Sequence, residues 1–242
     1  MLFRSIGQRY GAQKAYSDNE AMIDAENLDM VAVATRPGPH AAIVRYAAER
    51  GVRGIYCEKP LCNAVSEMDA MRAACSKAGV KFNYGTQRRY MPVYSRVREM
   101  VAEGAIGDVQ AIVAHCGASA AQWGLTHAAD MVLFLAGDGE IESVQGALVD
   151  AEGDWEDHVL KKDAAISSAY VRFKNGIHAY LTASGGWEFE VSGSKGKLRT
   201  LSNSLDYRLR QVDEHGELKE VEVAPVEDRK STRLNSSHLV IS

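Results

Sequence analysis

The sequence lacks a long apolar run and an excess of basic residues, and each absence excludes a class of protein. No apolar stretch approaches the ~20 residues that a membrane-spanning helix needs, and the first residues lack the apolar stretch of a signal peptide. The net charge of −4 provides no overall positive field that would hold nucleic acid. We therefore expect neither a membrane nor a nucleic acid as a partner.

Cysteine and proline are also scarce, at 4 and 5 of 242 residues. The cysteines are Cys57, Cys62, Cys75 and Cys116. Because they lie in apolar or helical stretches without metal-ligand spacing, we expect reduced thiols in a cytoplasmic protein and no metal site. The composition, 46% apolar and 25% charged, is that of an ordinary globular chain, long enough for one large domain or two small ones.

The first part of the chain alternates short apolar runs with helical patterns. The apolar runs, which predict buried strands, lie at 30–34, 54–57 and 80–84. Helical periodicity separates them, at 40–50 and 66–77, and Gly51 and Gly79 follow the two predicted helices as cap residues. Strands and helices that alternate with such short connections predict a parallel βαβ sheet.

From about Gly107 onward, predicted strands follow one another closely, with one helix at 126–136. The strands cover 108–115, 141–149, 165–173, 178–183, 187–191, 197–201, 207–212 and 218–223. Consecutive hairpins produce a mostly antiparallel sheet. We therefore predict an α/β fold class, with a parallel-sheet domain over 6–106 and an α+β domain over 107–229.

Both ends of the sequence differ from the rest. The βαβ pattern begins in mid-unit at Ile6, so we expect the first domain to lack its first strand and its phosphate-binding turn. Residues 231–238 have no periodicity and resemble translated sequencing-adapter sequence, and residues 2–5 look like their partner. We expect 1–5 and 230–242 to be non-native ends of a fragment; the alternative is a genuine disordered tail.

Residues that can carry chemistry follow the predicted parallel strands. Glu58-Lys59-Pro60 stands at the carboxyl end of the second strand, where open α/β sheets bind ligands, and Pro60 is a candidate for a cis bond. An ammonium there can stabilise negative charge that develops on a substrate oxygen. The alternative is a surface Glu–Lys pair of little consequence. Segment 35–40 ends the first strand, and 86–92 follows the third.

These motifs, taken in order, resemble the glucose-fructose oxidoreductase/inositol dehydrogenase (Gfo/Idh/MocA) family over roughly residues 6–225. The resemblance includes a Gly-Ala-Ile-Gly-Asp-Val turn at 104–109, His127 and Asp130 at helical spacing, and Gly-Ser-Lys-Gly at 193–196. It implies a Rossmann-type domain that binds NAD or NADP and an open sheet in the second domain. It also implies hydride transfer involving a hydroxyl of a carbohydrate-like substrate (a sugar, cyclitol or related polyol), and a homo-oligomer, dimer or tetramer, formed through that sheet.

The resemblance also implies roles for individual residues. His127 is expected to be the general acid/base and Lys59 the second catalytic group, because an imidazole accepts a proton near neutral pH and an ammonium stabilises an alkoxide-like transition state. The expected cofactor-binding residues are Thr35, His40, Glu58, Lys59 and Gln87. Two of these assignments have structural alternatives: His127 as a capping or core-edge histidine, and His40 as a residue that holds its loop.

The sequence departs from the family pattern at several points. Trp123 stands four residues before His127, where the family usually has an aspartate, and Pro37 replaces a frequent asparagine. The sequence contains no G-x-G-x-x-G and no acidic residue placed to read the ribose, so we expect poor dinucleotide binding by this chain and leave NAD or NADP open. Two alternatives on the same fold are an NAD-dependent glycoside hydrolase that oxidises the sugar transiently, and a non-catalytic sensor or binding protein.

Overall fold

A computed structural model describes residues 7–149 and 154–226. These residues form two units. The first unit comprises the described residues up to Gly85 together with Trp155–Lys161, and the second comprises the other described residues, beginning at Thr86. The predicted non-native ends, 1–5 and 230–242, lie outside the described residues.

Within the described residues, the first unit contains a three-stranded parallel sheet. Its strands are β1 (Met30–Val33), β2 (Gly54–Cys57) and β3 (Lys81–Tyr84), paired in that order. Its helices are α1 (Asn19–Ala25), α2 (His40–Glu49) and α3 (Val65–Ala78). The apolar core includes Val33, Val44 and Ile55, each at most 2% exposed. The predicted parallel βαβ arrangement is confirmed.

Helix α3 shows how local chemistry fixes the ends of these elements. At its start, the Glu67 carboxylate accepts hydrogen bonds from the N–H groups of Asn63 and Ala64, at 2.9 and 3.2 Å. The N–H of Ala64, the N-cap residue, is among the donors that a helix start leaves without an intrahelical partner. At its end, Gly79 adopts a left-handed conformation with φ 69°, and its N–H donates to the carbonyl of Cys75. Glycine adopts this conformation without steric cost, so the predicted cap is confirmed.

Within the described part of the chain, the second unit contains a nine-stranded sheet. The strands are β4 (Val109–His115), β5 (Ser119–Ala120), β6 (Ile141–Leu148), β9 (Ala165–Phe173), β10 (His178–Thr182), β11 (Glu188–Gly193), β12 (Gly196–Leu201), β13 (Asp206–Val212) and β14 (Leu218–Val221). Their order is β14-β13-β12-β11-β4-β10-β9-β5, and β6 also pairs with β9. Strands β4 and β10 are parallel, whereas the other described pairs are antiparallel. The mostly antiparallel sheet is therefore confirmed.

Two helices and a short 3₁₀ helix accompany this sheet. They are α4 (Pro92–Ala102), α5 (Thr126–Leu135) and the 3₁₀ helix Gln87–Tyr90. Helix α4 was not predicted, and its buried residues Val93, Tyr94 and Val97 belong to the same core as β4 and α5. Because α4 packs there, the structure divides the chain at Gly85 and Thr86, whereas the sequence placed the division at 106 and 107.

A two-stranded hairpin lies between β6 and β9 in the sequence. It consists of β7 (Asp154–Glu156) and β8 (Val159–Lys162), and nearly all of it belongs to the first unit. Leu160 is buried, and its N–H donates to the carbonyl of Asn63 at 2.9 Å. The sequence analysis did not predict this return of the chain to the first unit.

Several further properties concern the described residues as a set. None of their helices combines the length and the apolar character that crossing a bilayer requires. The four cysteines are free thiols. Among the described side chains, no group of three or more His, Cys, Asp or Glu is arranged to hold a metal ion.

Candidate active site

The carboxyl ends of β1 and β2 bring the first predicted site residues to one edge of the first unit's sheet. The two strands are parallel, and Val33 is paired with Cys57. Thr35 therefore follows β1 at the same edge where Glu58 and Lys59 follow β2. The Thr35 side chain is exposed, and its hydroxyl donates to the carbonyl of Arg36 at 3.2 Å.

Glu58 is held in place by its immediate neighbours. Its carboxylate accepts a hydrogen bond from the Tyr56 hydroxyl at 2.8 Å and another from the Lys59 N–H at 3.1 Å. Burial, reinforced by the hydrogen bond to Glu58, raises the pKa of Tyr56 to about 12. A Cβ atom at Gly85 would lie 3.0 Å from a Glu58 oxygen and 3.0 Å from the Tyr56 hydroxyl. A glycine at the end of β3 therefore lets the carboxylate lie against this edge.

Lys59 is a half-buried cation beside that carboxylate. Burial lowers the pKa of its ammonium group, and the charge of Glu58 opposes the shift. The Lys59–Pro60 peptide bond is cis, as the sequence analysis suggested. A partly desolvated ammonium interacts more strongly with a negative oxygen than an ammonium in bulk water does. This arrangement suits the stabilisation of developing negative charge.

His40 joins the segments that follow β1 and β2. Its side chain is completely buried, with Nε2 2.9 Å from the carbonyl oxygen of Thr35 and Nδ1 3.0 Å from that of Leu61. Carbonyl oxygens only accept hydrogen bonds, so the neutral ring can donate to one of them and the imidazolium to both. Both ring nitrogens face the backbone, which leaves no polar atom for a ligand. The contacts favour the structural role for His40 over direct cofactor binding.

Gln87 begins the 3₁₀ helix in the second unit, and its side chain is exposed. The next residue anchors that turn. Arg88 donates to the side-chain oxygen of Asn203 at 3.1 Å, and its guanidinium carbon lies 4.5 Å from the centre of the Trp187 ring. The contacts of Arg88 therefore fix the backbone position of Gln87.

His127 is the second residue of α5 and is 8% exposed. Helix α5 is tied to the 3₁₀ helix by an ion pair between Arg89 and Asp130, whose side chains are 23% and 12% exposed. The same arginine therefore connects the turn that carries Gln87 with the helix that carries His127. Buried at the start of a tethered helix, His127 has a restricted orientation, which general acid/base chemistry requires.

The sequence analysis missed Asp163, which contacts the turn before α5. Its carboxylate accepts hydrogen bonds from the N–H groups of Gln122 and Trp123. The Trp123 side chain is 56% exposed. No local signal could have found this contact, because 41 positions separate Asp163 from Gln122.

The sequence analysis also passed over a polar group at the carboxyl ends of the parallel strands β4 and β10. His115 Nδ1 lies 2.8 Å from the Ser184 hydroxyl, which lies 2.7 Å from the Thr182 hydroxyl. Because β4 and β10 are parallel, their ends lie at the same edge of the second unit's sheet. The chain order gives no hint of that pairing.

The structure therefore distributes the predicted site residues between the two units. Thr35, Glu58 and Lys59 lie at one sheet edge of the first unit, where His40 supports them. Gln87 and His127 belong to the second unit and are connected there through the Arg89–Asp130 pair. The two residues predicted to be catalytic thus come from different units.

Two sequence profiles of one family match the chain. The profile described as the oxidoreductase family with an NAD-binding Rossmann fold matches residues 3–86. The profile of the Gfo/Idh/MocA C-terminal domain matches residues 94–199. Together the two matches cover more than three quarters of the chain.

Curated relatives match a smaller part of the chain. A D-apiose dehydrogenase of Paraburkholderia graminis is 38% identical over 104 residues, which are 43% of this chain and 28% of that protein. A myo-inositol 2-dehydrogenase of Thermotoga maritima is 31% identical over 104 residues, 43% of this chain and 31% of that protein. The matched part is thus about a third of the length of these relatives.

Solved structures match almost the whole chain. Levoglucosan dehydrogenase in complex with NADH and levoglucosan superposes with a TM-score of 0.74 at 22% identity, over 93% of this chain and 69% of that one. The aldose-aldose oxidoreductase of Caulobacter crescentus complexed with glycerol superposes with a TM-score of 0.69 at 25% identity, over 92% and 72%. These similarities confirm the α/β fold, with a parallel-sheet unit followed by a mostly antiparallel one.

Proposed function

We propose an NAD(P)-dependent dehydrogenase activity for this chain, which belongs to the Gfo/Idh/MocA oxidoreductase family. The group that it oxidises is a hydroxyl of a sugar, cyclitol or related polyol. Relatives named as apiose and inositol dehydrogenases support the substrate class. The observation that carries the proposal is the half-buried Lys59 ammonium beside Glu58, at the carboxyl edge of a parallel sheet. Open α/β sheets bind ligands at that edge.

The donors and acceptors at this edge fit the nicotinamide end of a dinucleotide. Glu58 uses each carboxylate oxygen for one hydrogen bond, to Tyr56 and to Lys59, and each oxygen can accept a second one from a ribose hydroxyl. Thr35 offers an exposed polar side chain at the same edge, and Gln87 offers one in the second unit. The sequence has no glycine-rich phosphate loop, so these residues account for one end of the cofactor only. When bound, NAD or NADP supplies the acceptor for a hydride.

In this proposal the residues of the chain handle the substrate's oxygen. The His127 imidazole accepts the proton from the hydroxyl oxygen as the carbon–hydrogen bond breaks. The Lys59 ammonium donates a hydrogen bond to the same oxygen and stabilises its developing negative charge. His127 is buried and Lys59 is half-buried, and this partial removal from bulk water strengthens these interactions.

The proposal extends to assembly and location. Every residue of β6 is exposed, including Val144 at 60%, and Tyr180 of the same sheet is 41% exposed. Apolar surface on an open sheet supports a homo-oligomer formed through the second unit. Four free thiols support a cytoplasmic location. Analytical ultracentrifugation tests the oligomer, and a monomer at micromolar concentration would contradict it.

The decisive experiment follows reduction of the cofactor by absorbance. The protein is incubated with NAD⁺ or NADP⁺ and a panel of pentoses, hexoses and cyclitols. Net reduced cofactor that accumulates with one of these polyols supports a dehydrogenase. Release of sugar from a glycoside supplied in the same assay, without net reduction, would instead indicate a hydrolase, and binding without turnover would indicate a sensor.

Matched variants test the two catalytic assignments. Lys59→Ala and His127→Asn are each expected to lower kcat by about 100-fold or more, the usual range for an acid/base or electrostatic group. The controls are Lys77→Ala and His215→Asn, which change exposed residues and should leave kcat unchanged. Wild-type kcat in either catalytic variant removes that residue from the mechanism.

A further inference from the structure

The turn before α5 is held by a carboxylate from a distant part of the chain. Both oxygens of Asp163 lie 3.0 Å from the Gln122 nitrogen, and Oδ2 lies 2.8 Å from the Trp123 nitrogen. Two consecutive N–H groups therefore donate to one carboxylate. The N-cap residue of α5, Leu125, makes no side-chain capping bond. Asp163 thus stabilises the approach to the helix in the place of a local capping side chain.

Other contacts fix the same turn. The N–H of Ala121 donates to the carbonyl of Ala164 at 2.9 Å, so both residues of the segment 163–164 accept hydrogen bonds from the turn. The Thr126 hydroxyl donates to the carbonyl of Gln122. A Cβ atom at Gly124 would lie 1.9 Å from the Ser119 hydroxyl oxygen. The backbone of this turn is therefore closely packed on both sides.

This turn continues directly into the first turn of α5, where His127 is the second residue. The residues from 119 to 127 include no acidic side chain, so within this stretch of sequence the carboxylate contact comes from Asp163. A displacement of Gln122 and Trp123 moves the start of α5, and with it the Cα atom of His127. Catalysis is sensitive to such displacements, because about 1 Å of misplacement can cost a hundredfold in rate.

We propose that Asp163 is a positioning residue for His127. By binding the backbone N–H groups of Gln122 and Trp123, it fixes the point from which the imidazole reaches the substrate hydroxyl. The inference rests on the proposed function of His127 as general acid/base. It requires that loss of the carboxylate lowers kcat and leaves KM for substrate and cofactor nearly unchanged, since Asp163 acts on the geometry of His127 alone.

The test compares substitutions of Asp163 with a matched aspartate in the same unit. Asp163→Asn removes the charge and one acceptor oxygen, and is expected to lower kcat by about tenfold to a hundredfold. Asp163→Glu keeps the carboxylate on a longer side chain and should recover part of that loss. The control is Asp213→Asn, because Asp213 also accepts two backbone N–H groups, from His215 and Glu217 at 2.9 Å each, in the β13–β14 turn.

Hydrogen exchange of the Gln122 and Trp123 amides provides a measurement that does not depend on turnover. Exchange at these two amides should accelerate in Asp163→Asn and remain at the wild-type rate in His127→Asn and Asp213→Asn. An unchanged exchange rate in Asp163→Asn would show that the Asp163 carboxylate does not hold these two amides, and would overturn the inference. If Asp163→Asn does not fold, Gly124→Ala displaces the same turn from its other side and must give the same loss of kcat with KM preserved.

The outcomes separate this inference from the proposed function. Wild-type kcat in His127→Asn would refute the proposed role of His127 as general acid/base. A loss of kcat in His127→Asn together with wild-type kcat in Asp163→Asn would overturn only the role of Asp163. An equal loss in Asp163→Asn and Asp213→Asn would also overturn it, since the effect would then be general. Loss at Asp163 alone, with partial recovery by glutamate, supports the inference.

Discussion

Arg89 binds Asp130 with two hydrogen bonds, one from Nε to Oδ2 at 3.1 Å and one from Nη2 to Oδ1. The guanidinium also reaches a second carboxylate, that of Asp138, at 3.4 Å, and lies 5.3 Å from the centre of the Phe134 ring. A bidentate pair of this kind fixes both distance and orientation. It thereby fixes the 3₁₀ helix relative to α5 inside the second unit.

Breaking this pair should destabilise the protein more than breaking an exposed pair. Asp130→Ala leaves the guanidinium without its main partner in a mostly buried place, and should lower the free energy of unfolding by about 2–3 kcal/mol. Urea unfolding of Arg89→Ala, Asp130→Ala and the double variant gives the coupling energy. The exposed pair of Arg96 and Glu103 is the control, with a coupling below about 1 kcal/mol. Equal coupling energies in the two cycles would contradict this prediction.

Replacement of His40 should affect stability through two backbone carbonyls. His40→Phe fills a similar volume but removes the imidazole as hydrogen-bond partner of the carbonyl oxygens of Thr35 and Leu61, which should cost about 2–3 kcal/mol of unfolding free energy. His40→Gln can keep one donor and should cost less. Urea unfolding measures both, with the exposed His215→Gln as the control. A phenylalanine variant as stable as the wild type would refute the proposed bridging role.

Gly124 is expected to tolerate no side chain while Ser119 is present. A Cβ atom at 124 would lie 1.9 Å from Oγ and 2.7 Å from Cβ of Ser119. Gly124→Ala should therefore lower the free energy of unfolding by about 1–3 kcal/mol, because the site becomes overpacked, and the melting temperature should fall with it. Adding Ser119→Gly removes both contacts and should restore part of the loss relative to Ser119→Gly alone. Gly185→Ala is the matched control, since a Cβ there has open space. An unchanged melting temperature in Gly124→Ala would exclude this packing.

The stability of the protein should fall at alkaline pH, in part through Cys57. Burial raises the pKa of this thiol from 9.0 to about 12, so the native state keeps a proton that the unfolded chain releases. The native state then binds more protons than the unfolded state between those pH values. The stabilisation is present in full below pH 9.0 and is lost as the pH rises to about 12.

Cys57→Ala removes this ionisation, so its melting temperature should decline less steeply than that of the wild type over the same pH range. Tyr56, whose pKa burial also raises to about 12, still contributes to the decline. Scanning calorimetry at a series of pH values measures both slopes. Parallel curves for the two proteins would contradict the assignment to Cys57.

The elements that the sequence predicted are those with a strong local signal. The runs at β1, β2 and β3 combine apolar or aromatic residues with short connections, and glycines follow both intervening helices. The turns Lys174-Asn175-Gly176 and Ser194-Lys195-Gly196 connect β9 with β10 and β11 with β12, two of the antiparallel pairs of the second sheet. In these segments the period of apolar residues and the turn chemistry agree, and the tertiary structure follows them.

Two kinds of feature were not predicted: a helix whose apolar spacing is present in the sequence, and contacts between residues far apart in the chain. Helix α4 has apolar residues at Val93, Val97 and Met100, a helical spacing that the sequence offered and the analysis did not use. The parallel pairing of β4 with β10 and the contact of Asp163 with Gln122 join segments far apart in the chain. Local periodicity carries no information on such pairings.

The hairpin formed by β7 and β8 affects how the protein can be synthesised and divided. The first unit includes Trp155–Lys161, although its sheet ends at Tyr84. During translation, that unit stays incomplete until much of the following unit has left the ribosome. A truncation after Gly85 would lose the bond from Leu160 to Asn63 and uncover the buried Leu160 site. The two units are thus interleaved along the gene. An exchange of the first unit between relatives must therefore replace both of its segments, the one up to Gly85 and Trp155–Lys161.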